Sequence, residues 1–527
     1  MNVNQFNPIT PSKKIFILLI LFSLFFHSQC VSNRIERTND TEQILKEFKP
    51  KKTANHMKLH LKNGDVCVLH DWRINKENNT VEGSGDKLDY NRQPKDTGNF
   101  LISIDDIALA ETNHIKGSGS SSTLTFITVI SGLVSVICIT NPKACFGSCP
   151  TYYWFDGEDY LIQAEGFSSS ISPALEETDI DALYRVKPSN QNFELKLKNE
   201  AYETHVIRQS NILALPRSEG NRVFSSYDSK FYEVSNISEP IQVEDSYGDC
   251  SEKLCEFDGV ERYSSADSIN LAAKENIDLT FNNTSSAKKG LVLASRQTLM
   301  TTFLFYQTLA YLGSNASYFL ANLERNPELY KNLINVPRNE LGLIEVYVET
   351  EKGIYEKVGD IGEYGPISTD IKILPLGKYD SGIEINIRLK MAKGLWRIDY
   401  TALVDIIDEV EPITLSPVST FPVYTESGSK ITDLLTTEDL VLVTLPGDEY
   451  YLNYVLPSDY MNYELFLESR GYYLEWMREE WCAEENPDKV MQMLFNPKQY
   501  YKDLAPQFKM IEAEMEETFW SSKYVLP

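Results

Sequence analysis

The chain has 527 residues, 42% hydrophobic and 24% charged, a balance that places it among globular proteins and not among disordered ones. The length is several domains' worth. A formal charge of -26 argues against nucleic acid as a partner, because phosphates are held by clustered Lys and Arg, and against docking on an anionic bilayer by charge alone.

Residues 1–29 read as an export signal. Lys13 and Lys14 precede an uncharged run from Ile15 to Phe26. That run has the length of a signal h-region and is shorter than the ~20 apolar residues of a spanning helix. Cys30 follows. A cysteine in this place resembles the lipobox of bacterial lipoproteins, although His27 and Gln29 replace the aliphatic and small residues usual there. The resemblance implies that the Cys30 thiol is diacylated and anchors the chain through buried CH₂ groups. Residues 30–55 are polar and read as a tether.

Residues 56–115 are expected to form a small β barrel or roll. "HMKLHLKNGDVCVLHDWRI" alternates around an Asn63-Gly64-Asp65 turn, a hairpin pattern. His56 and His60 stand four apart, but on an alternating segment. Helical metal spacing therefore does not apply, and both read as surface histidines. Residues 116–144 hold the linker "KGSGSSS" and the apolar run Leu124 to Ile139. As a helix that run reaches roughly 24 Å, short of a ~30 Å hydrocarbon core, which favours a buried segment over a membrane span.

Residues 145–295 are expected to be a β domain whose first hairpin turns at Asp156-Gly157. A helical segment follows at 296–335. Its first helix is apolar on most faces and therefore buried, with Gly313 as its C-cap. A β-sandwich-like domain is expected over 340–460, where Ile344, Val346 and Val348 alternate with Glu345, Tyr347 and Glu349. The last stretch, 461–527, reads as helical, with Leu474, Met477 and Trp481 on one face and Pro487 ending that helix. The fold class is thus mainly β and multi-domain, with a few helices.

Several stretches carry a family likeness. "CFGSCPTYYWFDGEDYLIQAEGF", "KNEAYETHVIRQSNILAL", "KGLVLASRQTLMTTFLFY", "GLWRIDYTALVDI" and "ESRGYYLEWMREEW" resemble segments of a bacterial, Bacteroidota-like family of envelope lipoproteins. Its mark is a Cys-Pro-aromatic-x-Trp/Phe-Asp-Gly-Glu-x-Tyr hairpin. The family has no established activity, so the likeness implies location and architecture and no catalytic residue.

The search for chemistry is otherwise negative. The His-Glu-x-x-His zinc motif, the Gly-x-Ser-x-Gly elbow and the phosphate-binding glycine loops are all missing. "DGEDY" and "DGVE" lack the spacing of a calcium loop and read as Asp-Gly turns. No metal, cofactor or catalytic residue is assigned. In an oxidising compartment the close cysteines are disulfide candidates: Cys145 with Cys149, and Cys250 with Cys255. The aromatics of "TYYWFDGEDYL" and "GYYLEWMREEW" are either binding anchors or core, and core is the commoner fate. The expectation is a non-enzymatic lipoprotein at the bacterial outer membrane, facing the periplasm, that acts as a scaffold or interaction subunit for another envelope protein. The alternatives are a carbohydrate- or peptidoglycan-active hydrolase using an acidic pair, and an integral protein spanning at 124–139.

Overall fold

The structure, a computed structural model, describes residues 31–38, 57–61, 65–88, 94–117, 149–168, 170, 175–200, 203–313, 340–362, 365–425, 428–445, 447–475 and 484–521. The export signal, Cys30, the run Leu124 to Ile139, Cys145 and the part of the expected helical segment from residue 314 to 335 lie outside these. The described residues fall into two compact units. One is drawn from residues 1–132, 307–322 and 477–491, the other from 133–306, 323–476 and 492–527. The described residues are mainly β.

The first unit holds a six-stranded antiparallel sheet. Met57–Leu61 pairs with Val66–Asn75, the hairpin expected around Asn63-Gly64. Val31–Thr38, in the stretch read as a tether, pairs as an edge strand with Ile107–Gly117. Met57, Leu59, Cys67, Leu69, Val81 and Ile104 form its core. His60 belongs inside, contrary to the surface reading. It is 6% exposed, because the strand that carries it is covered on both faces.

The second unit contains a β-sandwich, a barrel and a further sheet. One sandwich sheet runs in the order Ser419–Phe421, Glu449–Val455, Asn192–Lys198, Thr151–Phe155, Tyr160–Glu165. The opposing sheet is built on the long pair Glu203–Pro216 and Tyr463–Glu475. Inward side chains from both sheets, among them Tyr152, Leu195, Leu452, Ile212 and Leu467, share one core. The barrel closes five strands, Arg222–Ser225, Phe231–Ser238, Trp396–Val410, Lys288–Gln297 and Asp370–Lys378, through a parallel bridge between Ser225 and Lys372. Val223, Val234, Val292, Ile373 and Val404 pack in its core. The six-stranded sheet includes Ile344–Glu351, whose Ile344, Val346 and Val348 are buried as the alternation requires. Strands from 145–295 and from 340–460 thus share every sheet of this unit, and the one built on Glu203–Pro216 also takes in Tyr463–Glu475 from beyond residue 460.

The C-terminal stretch corrects the helical reading at its start. Tyr463–Glu475 is a strand. The spacing that suggests a helical face begins only at Leu474. Strand pairing over thirteen positions with Glu203–Pro216 decides the backbone instead, and Gly471 allows the close approach of Val206 and Phe167. Pro487 begins the helix Pro487–Phe495, where its missing N–H is no loss in a first turn; Met477 and Trp481, on the helix expected before it, lie outside the described residues. A second helix, Pro497–Ser521, buries Tyr500, Tyr501, Leu504 and Phe508. The helix expected from residue 296 is Met300–Leu312, buried at Met300, Leu304 and over Leu309–Leu312 and only partly so at Phe303, Phe305 and Tyr306, and Gly313 follows it at φ +54°.

Candidate functional site

Strand alternation divides the aromatic residues of the first sandwich sheet between two faces. In Glu449–Val455, Tyr450, Leu452 and Tyr454 point into the core, while Tyr451, Asn453 and Val455 point out. In Thr151–Phe155, Tyr152 and Trp154 pack on the core, and Tyr153 and Phe155 lie on the other face. The register then sets Phe421 opposite Tyr451, Tyr451 opposite Lys196, and Phe155 opposite Tyr160.

The result is a row of four rings on the outer face. Ring centroids are 6.3 Å apart for Phe421 and Tyr451, 6.2 Å for Tyr451 and Tyr160, and 5.1 Å for Tyr160 and Phe155. Tyr160 and Tyr451 sit three strands apart, a backbone separation of roughly 14 Å. Their rings therefore lean together above the two strands between them. The Lys196 ammonium lies there, 3.8 Å from the Tyr160 centroid and 5.2 Å from that of Tyr451. This cation–π clasp orders both rings. Phe421 is 68% exposed, Phe155 44% and Tyr160 37%.

The charges of this face are paired. The Tyr160 hydroxyl donates to Glu194 at 3.4 Å, and partial burial, then Glu194, push its pKa up to about 12. Lys198 reaches Glu449 at 2.8 Å and Glu200 at 3.3 Å, and the Tyr153 hydroxyl donates to Glu200 at 2.6 Å. Lys196 is 4.0 Å from Glu449. Such a surface offers ring faces bordered by hydrogen-bonding groups and little unpaired charge.

Beneath this sheet lies a buried polar layer. Glu165, 4% exposed, accepts the N–H groups of Ile367 at 2.9 Å and Ser368 at 3.4 Å. Burial pushes its carboxyl up to about 7. The neighbouring Cys149 thiol donates to the Ser168 carbonyl at 3.7 Å, as does the Tyr473 hydroxyl at 3.1 Å. Burial holds that thiol well above its ordinary range, so it is protonated and a poor nucleophile. His205 meets Glu203 at 3.1 Å in the same layer. Elsewhere, burial raises Asp399 to about 6 despite the Gly259 N–H and Arg185 beside it.

The disulfide expectation needs correction. Cys149, Cys250 and Cys255 are free thiols. A 3-10 turn, Ser251–Lys253, separates Cys250 from Cys255 and directs the Cys255 sulfur to the Ser251 carbonyl at 3.0 Å. Cys145 and Cys30 lie outside the described residues. Both Asp-Gly sites are turns, with Gly157 at φ +112° and Gly259 at φ +87°. Asp156 accepts the N–H groups of Glu158 and Asp159, and Glu261 of "DGVE" is taken up by Arg296 and Arg397. Among the described residues no group of three or more His, Cys, Asp or Glu is placed to hold a metal ion, and no helix is long and apolar enough to cross a membrane.

Sequence reasoning pointed to "TYYWFDGEDYL" and favoured a core role, which is right for half of it. It missed Phe421, Tyr451 and Lys196, which carry no motif and reach the face only through the sheet order. In "GYYLEW" the core reading holds for Tyr472, Tyr473 and Leu474. No family model and no curated protein matches the chain.

Proposed function

We propose that this chain is a membrane-tethered lipoprotein of the bacterial envelope, anchored through Cys30, that works as a non-enzymatic interaction subunit. The observation that carries the interaction role is the ring row Phe421, Tyr451, Tyr160, Phe155. Large apolar rings left in water cost free energy, and a β-sandwich has an inner face available for them. Held on rigid strands with their surrounding charges paired, they make a preorganised contact surface, since little side-chain entropy remains to be lost on binding. The tether reading rests on the signal-like residues 1–29 and on Cys30, and it places the protein at the outer membrane, facing the periplasm.

Two measurements test the reading. Labelled palmitate should enter the wild-type chain and be lost in Cys30→Ala. Equal incorporation in both would remove the anchor. Gentle solubilisation of envelopes should co-purify a partner with the wild type, and the Phe421→Ala, Phe155→Ala double variant should lose it. An identical set of co-purified molecules would remove the ring row from the interaction.

A further inference from the structure

Resting on the reading of the ring row as a contact surface, we infer that this face binds a short neutral oligosaccharide, a chain of hexopyranose units lying across the strands from Phe421 to Phe155. Phe421 and Phe155 stand on strands three intervals apart, roughly 14 Å, and the ring steps of 6.3, 6.2 and 5.1 Å between them give the reach of a short sugar chain. The C–H face of a pyranose packs on an aromatic ring, while its hydroxyls need acceptors and donors at the ring's edge. The row supplies both. Glu194 lies at the Tyr160 hydroxyl, Glu449 beside Lys196, and Asn453 and Ser419 pair on neighbouring strands at the Phe421 end.

Charge selects the class. Lys196 is shared between two rings and Glu449, and Lys198 between Glu200 and Glu449. An anionic ligand would meet a cation already engaged, and a cationic ligand would have to displace it. Sugar hydroxyls hydrogen-bond to the same carboxylates while the rings are covered. The lean of Tyr160 and Tyr451 over Lys196 fixes the two central rings before any ligand arrives.

Isothermal titration calorimetry on the purified chain tests this. The probes are neutral hexasaccharides of β-1,4-linked glucose, mannose and N-acetylglucosamine, with hexagalacturonate as the anionic comparison. At least one neutral probe should bind, and Phe421→Ala and Phe155→Ala should each weaken it at least tenfold. Both side chains are exposed on the outer face, so their removal leaves the core intact. Tyr355→Ala, on a different sheet, should bind as the wild type does. Binding of none of the neutral probes, binding of hexagalacturonate alone, or unchanged affinity in both Phe variants would overturn the inference. Loss of co-purified protein in the double variant without sugar binding would leave the interaction role standing and the glycan assignment overturned. Sugar binding without a protein partner would do the reverse to the partner and keep the glycan.

Discussion

Glu165 shows how a single side chain ties pH to stability. Its carboxyl stands at about 7 in the folded chain, raised from 4.5 by burial. The folded state therefore holds a proton that the unfolded state has released over the window between those values. Stability from this group is complete below about 4.5, falls as pH rises towards 7, and is flat above. A shift of that size corresponds to about 3 kcal/mol. Glu165→Gln keeps the acceptor for Ile367 and Ser368 and removes the titration. Urea denaturation at pH 5 and pH 8 should show the wild type losing up to that amount at pH 8 and the variant losing much less. Equal loss in both would place the pH dependence elsewhere. Thiol chemistry offers a second check. Cys149 is 5% exposed with a strongly raised pKa, whereas Cys250 and Cys255 are half-buried. Under native conditions a maleimide should label Cys250 and Cys255 well before Cys149, and mass spectrometry of the digested protein would show the order.

At the scale of elements, two features hold the second unit's sheets together. Gly471 lies in the middle of Tyr463–Glu475, and a Cβ there would meet the Val206 carbonyl and the Phe167 ring. Gly471→Ala should destabilise by about 1–3 kcal/mol, the usual cost of overpacking. Arg262 is buried between Asp245 and Glu275, at 2.7 Å and 2.9 Å, and joins two strands of the six-stranded sheet to the barrel strand it bridges at Ile398. Its removal leaves two buried carboxylates without their cation. Arg262→Ala should therefore cost about 3–5 kcal/mol, far more than an exposed ion pair such as Lys357 with Asp360. Thermal or urea unfolding of the three variants ranks these effects, and a Lys357→Ala loss equal to that of Arg262→Ala would contradict the burial argument. Elements with strong local patterns were readable in the sequence: the two hairpins at Gly64 and Gly157, the alternating Ile344–Glu351, the apolar Met300–Leu312. Tyr463–Glu475 was not, because long-range pairing with a strand some 250 residues earlier decided it, and local spacing carries no trace of that partner.

Across the whole molecule, the interleaving of strands sets what can fold alone. Residues 340–460 contribute to the barrel, to the six-stranded sheet and to both sandwich sheets; Ile344–Glu351 with its two neighbours, and Ser419–Phe421 with Glu449–Val455, pair within the stretch, but in all four sheets the pairing also needs strands that lie before residue 300. Expressed separately, they should show no cooperative thermal transition by circular dichroism, whereas the intact chain should. By itself the sequence determined the β class, the hairpin turns, the apolar helix after residue 296 and the acidic charge, because each depends on composition or on neighbours a few residues away. The outward row of Phe421, Tyr451, Tyr160 and Phe155, the burial of Glu165 and the separation of Cys250 from Cys255 were decided only by tertiary structure. Those features depend on which strands lie side by side and on which face each residue falls, and both are set by contacts between residues far apart in the chain.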